Sequence, residues 1–156
     1  EATSIEPFDR YGRMMGLPPN SAANGSFLLQ LRNLLIQDWD LDDDGRAETL
    51  RLLFATPRGW MEDGKEIRVE DAPTAFGKVS VWEQAQLSKG YVEAKREMPE
   101  RKPKQALVRF RVPRGWSVTD ATVDGQLVTR IGPETVDLTG RTVTVVIRAR
   151  VKKVAE

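Results

Sequence analysis

The chain has no cysteine and no histidine in its 156 residues. The first absence excludes disulfides, thiol catalysis and thiolate metal sites; it leaves the compartment open, with a periplasmic or secreted one favoured. The second excludes more. Without imidazole there is no Ser-His-Asp triad, no histidine-ligated metal and no side chain that ordinarily titrates near neutrality as a general base. Catalysis would have to rest on carboxylates, lysine, tyrosine or a bound cofactor. An excess of one charge is also missing, because 24 basic and 23 acidic side chains nearly cancel. No global field therefore draws the chain to nucleic acid or to a membrane surface. Nor does any apolar run approach the roughly 20 residues of a membrane helix.

What is present fits one folded domain: 40% apolar and 30% charged residues in a length that can bury a core. Residues 106–116 alternate, with Ala106, Val108, Phe110 and Val112 on one side and Leu107, Arg109 and Arg111 on the other. Residues 142–151 repeat the pattern, placing Val143, Val145, Ile147, Ala149 and Val151 inward. A period of two is that of a half-buried strand. Residues 78–87 and 91–98 read as a hairpin around Ser88-Lys-Gly90, and Asp124-Gly125 is the pair best suited to a type I′ turn. Further short strands are expected at 48–56, 66–70, 117–123, 126–130 and 135–138.

Ahead of these, Phe27, Leu28, Leu31, Leu34 and Leu35 have helical spacing, predicting an amphipathic helix over 26–38 after an irregular leader at 1–25. The expected fold is an antiparallel β-sandwich preceded by this helix.

Four groups of residues invite a functional reading. Asp40-x-Asp42-x-Asp44-Gly45, with Glu48 beyond, has the spacing of the first half of a calcium loop, but Arg51 stands where its bidentate Glu belongs. A solvated acidic turn is the preferred reading, structural calcium the alternative. Trp60, Trp82, Tyr91 and Trp116 could stack on sugar rings, Trp82 and Tyr91 best of all because both face outward on the proposed hairpin; packing against the core is the competing role. Arg109, Arg111, Arg148 and Arg150 would form a basic face if their strands are neighbours, read as solvated charge rather than as a nucleic-acid site. The tetrapeptide Pro57-Arg-Gly-Trp60 recurs at Pro113-Arg-Gly-Trp116 and is read as two similar strand exits. No Asp or Glu stands in an evidently buried setting, so no catalytic residue is assigned.

Taken together, FLLQLRNLLIQD (27–38), LRLLFATPRGWMEDGKEIRVE (50–70), APTAFGKVS (72–80), LVRFRVPRGW (107–116) and ATVDGQ (121–126) give the chain a resemblance. It resembles the C-terminal β-sandwich region, with the last barrel helix, of bacterial (α/α)-barrel glycoside-hydrolase-like proteins. The resemblance implies a non-catalytic accessory domain, because catalysis in such proteins belongs to the barrel. It implies as partners a catalytic (α/α)-barrel domain, or self-association through an apolar helix patch, with polysaccharide as a ligand and neither nucleic acid nor membrane. An independent carbohydrate-binding module is the alternative, and a small carboxylate-based glycoside hydrolase the third.

Overall fold

The computed structural model describes residues 21–154. The described residues fall into two units, divided between Asn33 and Leu34. The described part of the first is helical: α1 spans Ser21–Leu35, its last two residues belonging to the second unit. The helix thus starts five residues before Ser26, so residues 21–25 of the expected leader are helical, and the rest of that leader lies outside the described residues. It also stops short of Asp38. Residues 36–39 form β1 (Ile36–Trp39), which pairs antiparallel with β2 (Thr49–Leu52), Ile36 opposite Leu52. Pairing buries Ile36 against Leu50 and Leu52, an apolar gain that overrides the local helical spacing.

The second unit is a β-sandwich. After β2 the chain builds β3 (Glu66–Thr74), β4 (Gly77–Gln86), β5 (Tyr91–Glu97) and β6 (Gln105–Arg109). It continues with β7 (Trp116–Val123), β8 (Gln126–Val128), β9 (Arg130–Ile131), β10 (Thr135–Asp137) and β11 (Val145–Lys153). One sheet has the order β1-β2-β6-β10-β9, the other β3-β4-β5-β11-β7-β8. All pairings are antiparallel except that of β2 with β6, which is parallel. Val108 and Leu52 from the first sheet, with Phe110 just beyond the end of β6, meet Val81, Ala94 and Ile147 from the second in one apolar core.

The inward side expected for 106–112 is buried, with Ala106, Val108, Phe110 and Val112 all in the core, but Leu107, expected on the outer side, is buried too, because β6 is an inner strand flanked by β2 and β10. The alternation expected for 142–151 holds only from Val145, where β11 begins; Val143 lies before the ladder and is 67% exposed rather than inward. The β4–β5 hairpin is present, closed by a 3-10 turn at Leu87–Lys89 and by Gly90 at φ +82. Asp124 and Gly125, at φ 50 and 80, turn β7 into β8 with the backbone of a type I′ turn. The strand expected at 126–130 is instead divided, because the chain passes from β8 in one sheet to β9 in the other. The strand expected at 48–56 is cut to Thr49–Leu52, since Leu53 adopts φ +61. Its amide donates to the Leu35 carbonyl at 2.6 Å while its side chain stays in the core, a bulky residue held where few non-glycines sit.

Both copies of the repeated tetrapeptide form hydrogen-bonded turns, on different backbones. Trp60 N–H donates to the Pro57 carbonyl at 3.0 Å, and Trp116 N–H to the Pro113 carbonyl at 3.2 Å. Only the second needs a left-handed glycine, Gly115 at φ +79.

Candidate functional site

The acidic turn joins β1 to β2 and is shaped by its own carboxylates. Asp40 Oδ2 accepts the Gly45 amide at 2.7 Å, Asp44 Oδ1 accepts that of Arg46 at 2.8 Å, and Asp43 and Gly45 take positive φ. These bends bring carboxylate oxygens of Asp40, Asp42, Asp44 and Glu48 within 4.8 Å of one another, a cluster that could hold a metal ion. Glu48 is the buried member. Its oxygens accept the Leu41 amide at 2.9 Å and the Lys104 ammonium at 3.0 Å, and chiefly those two contacts hold it below the usual glutamate range. Asp42 is held above the usual aspartate range, first by desolvation, then by its hydrogen bond with Glu48 and by repulsion from Asp44. Like charges crowded in this way are what a hard cation relieves.

The outer face of the six-stranded sheet carries two of the four aromatic candidates, Trp82 and Tyr91. Trp82 and Tyr91 do face the same side, as the hairpin register requires, and both are partly buried. Trp82 lies opposite Lys95 and Tyr91 opposite Gln86, so four residues, roughly 13 Å of strand, separate them. Tyr91 is already engaged: the Arg148 guanidinium lies 4.6 Å from its ring centroid, and its hydroxyl donates to Gln86 Oε1 at 2.9 Å. Trp82 donates its indole N–H to Glu66 Oε2 at 3.2 Å and forms part of a groove of about 490 Å3 with Arg68, Asp71, Ser80, Lys95 and Glu97. Trp60 sits on the 3-10 turn after β2, and Trp116 at the start of β7 packs against the core. The four aromatics therefore do not converge.

The arginines expected to share a face do not. Arg109 is on β6 of one sheet and Arg111 follows it, whereas Arg148 and Arg150 are on β11 of the other. The latter two are paired, Arg148 with Glu93 and Arg150 with Asp120. Arg109 joins Arg58 at Glu134, a carboxylate that is buried despite its place in a loop.

Glu134, Glu48 and Glu83 correct the expectation that no acidic side chain is buried. Glu83 lies on the inward register of β4 between Val81 and Ala85, and Arg96 on that of β5 between Ala94 and Met98. Alternation alone could have found both. Their ion pair, 2.8 Å long and almost wholly inaccessible, stands inside the core, and Arg96 also donates to the Trp82 carbonyl at 2.7 Å. Burial pushes the Glu83 carboxyl up to about 7 against the pull of Arg96, and burial likewise lowers Arg96. A perturbed carboxylate is often catalytic, but no substrate can reach one sealed between two sheets. Among the described residues no helix is long and apolar enough to cross a membrane. No protein-family model, no curated protein and no solved structure matches the chain.

Proposed function

We propose that this chain is a non-catalytic β-module of a larger carbohydrate-active protein, an accessory to a catalytic (α/α) barrel. The observation that carries the reading is the dispersal of its aromatic side chains: Tyr91 lies under Arg148, Trp116 is packed on the core, and Trp82 stands roughly 13 Å along the strand from Tyr91. A binding platform needs flat rings side by side, whereas a packing module keeps them engaged. Phe27, Leu28 and Leu29 are exposed on α1 and supply apolar surface for a barrel to cover. The purified chain is expected to turn over no aryl glycoside or polysaccharide and to bind the isolated barrel added in trans. Turnover abolished by one Asp or Glu substitution would replace this reading with the small hydrolase.

The acidic turn adds a structural calcium to the proposal, held by Asp40, Asp42, Asp44 and Glu48. Four oxygen donors within 4.8 Å support it, and backbone carbonyls and water would complete the coordination. Lys104, whose side chain is mostly exposed, is free to swing off Glu48 as the ion enters. A chelator should lower the melting temperature of the chain as purified, and Asp42→Asn should abolish the difference. No response to the chelator or to added calcium would leave the solvated turn as the correct description.

A second reading, an independent carbohydrate-binding module, is favoured by the groove at Trp82. There Arg68, Trp82 and Lys95 stand side by side across three strands, an indole between two hydrogen-bond donors. If that reading is right, the chain is retarded in gels containing polysaccharide, and Trp82→Ala removes the retardation.

A further inference from the structure

We propose that Arg109 and Arg111, backed by Arg58, form a binding site for an oxyanion, a carboxylate or sulfate group either free in solution or carried on a sugar. The site does not depend on the accessory-domain reading.

The local backbone sets it up. Phe110 is locked in the core and its amide donates to the Glu134 carbonyl at 2.8 Å, so the residues on either side, Arg109 and Arg111, both project away from the core. Arg58 then takes both oxygens of Glu134, Nη1 to Oε1 at 2.6 Å and Nη2 to Oε2 at 3.0 Å, and donates to the Val112 carbonyl at 2.5 Å. This fork cancels one positive charge with the Glu134 carboxylate. Two guanidiniums are left over. Arg109 reaches Glu134 only through Nε, at 3.4 Å, and its two Nη groups have no partner among the described residues. Arg111 gives Nη1 to the Phe54 carbonyl at 3.2 Å, while its Nε is inaccessible and unpartnered. Burial lowers Arg111 from its ordinary value, and Arg58 and Arg109 add to the effect. On β2, the strand paired with β6, Arg51 lies opposite Leu107 and stacks on Trp39 and Phe54, its centre 4.7 and 5.5 Å from the two ring centroids, and its Nε is unpartnered too. Positive charge that is partly desolvated and under-compensated is stabilised by an external anion. The planar fork of arginine fits a carboxylate or sulfate better than a point charge would.

The test titrates inorganic sulfate, inorganic phosphate and glucuronate into the full chain by calorimetry, with chloride keeping the ionic strength fixed. At least one should bind saturably, and Arg109→Gln and Arg111→Gln should each weaken it about tenfold or more. Arg148→Gln, which alters an arginine of the opposite sheet already paired with Glu93, should leave it unchanged. Tighter binding of glucuronate than of sulfate points to a sugar-borne group, the reverse to a free ion. Arg109 has only one long contact to lose, so a folded Arg109→Gln protein, checked by its melting curve, separates lost binding from lost structure. No saturable binding of any of the three probes, or binding that survives both substitutions, overturns the proposal.

Discussion

Replacing Arg96 by methionine strips the core of a cation and leaves Glu83 alone between the sheets. Its three lost hydrogen bonds, to Glu83 and to the Trp82 and Lys95 carbonyls, are made where no water can substitute for them. Removing one partner of a buried pair costs about 3–5 kcal/mol, far more than the net worth of the pair. The loss should depend on pH. Glu83 is raised from 4.5 to about 7, so across that window the folded protein holds a proton that the unfolded chain has released. In the wild type, stability therefore falls as pH rises from about 4.5 to about 7, by about 3 kcal/mol at most. In Arg96→Met the carboxyl has no cation to favour ionisation, so the damage is greatest at pH 8 and smaller at pH 5, where Glu83 is neutral. Urea unfolding followed by tryptophan fluorescence at both pH values reads this directly. With no histidine in the chain, the window is unusually free of competing side chains. Asp42, also raised, is removed as a contributor by repeating the measurement in Asp42→Asn. Glu83→Val/Arg96→Met should recover most of the loss, because two apolar groups need no partner. A cost below about 1 kcal/mol at pH 8, or equal costs at both pH values, would refute the reasoning.

Phe110→Ala should cost about 3–5 kcal/mol in chemical denaturation, whereas Val143→Ala, exposed ahead of β11, should stay within about 0.5 kcal/mol. Gly90→Ala has room for a methyl group but not the right backbone, φ being +82, so a loss of about 1 kcal/mol in thermal unfolding is expected. Arg58→Ala breaks the fork on Glu134 and should lower stability by about 1.5–3 kcal/mol in urea. Asp63 is held below its ordinary value by the hydroxyl and amide of Ser88, so what it contributes is present above that ordinary value and fades as pH falls. Asp63→Asn should therefore flatten the acid limb of the pH–stability curve.

The readable parts of the chain were those where one face meets the core and the other meets water. The stretch around Phe110, the β4–β5 hairpin and the Asp124-Gly125 turn are of that kind. Elements whose form depends on a distant partner were not legible. Residues 36–38 have helical spacing and become strand only because Leu50 and Leu52 offer them a ladder. The break at Leu53 leaves no mark in a segment that reads Leu-Arg-Leu-Leu-Phe, since it is imposed by the Leu35 carbonyl. For the sites, the acidic spacing pointed to residues that the fold gathers, and it could not say that Glu48 would be buried among them. The arginines were misplaced because sequence cannot tell which sheet a strand joins, and the meeting of Arg109 with Glu134 follows from the β6–β10 pairing.

The parallel pairing of β2 with β6 has a consequence for the order in which the chain can fold. Thr49–Leu52 must wait for Gln105–Val108, and the chain between them contains three strands of the other sheet. Those three are joined by short turns and can form early, because closing a short loop is fast and loses little chain entropy. The hairpin of β1 and β2 has only itself until β6 arrives, and two strands alone are marginal in water. The six-stranded sheet should therefore nucleate first and the five-stranded sheet close late, giving slow folding for the size of the chain. During synthesis, a chain that has emerged only as far as Pro99 would carry β2 with a bare edge. That half-made edge is where misassociation between nascent copies would begin.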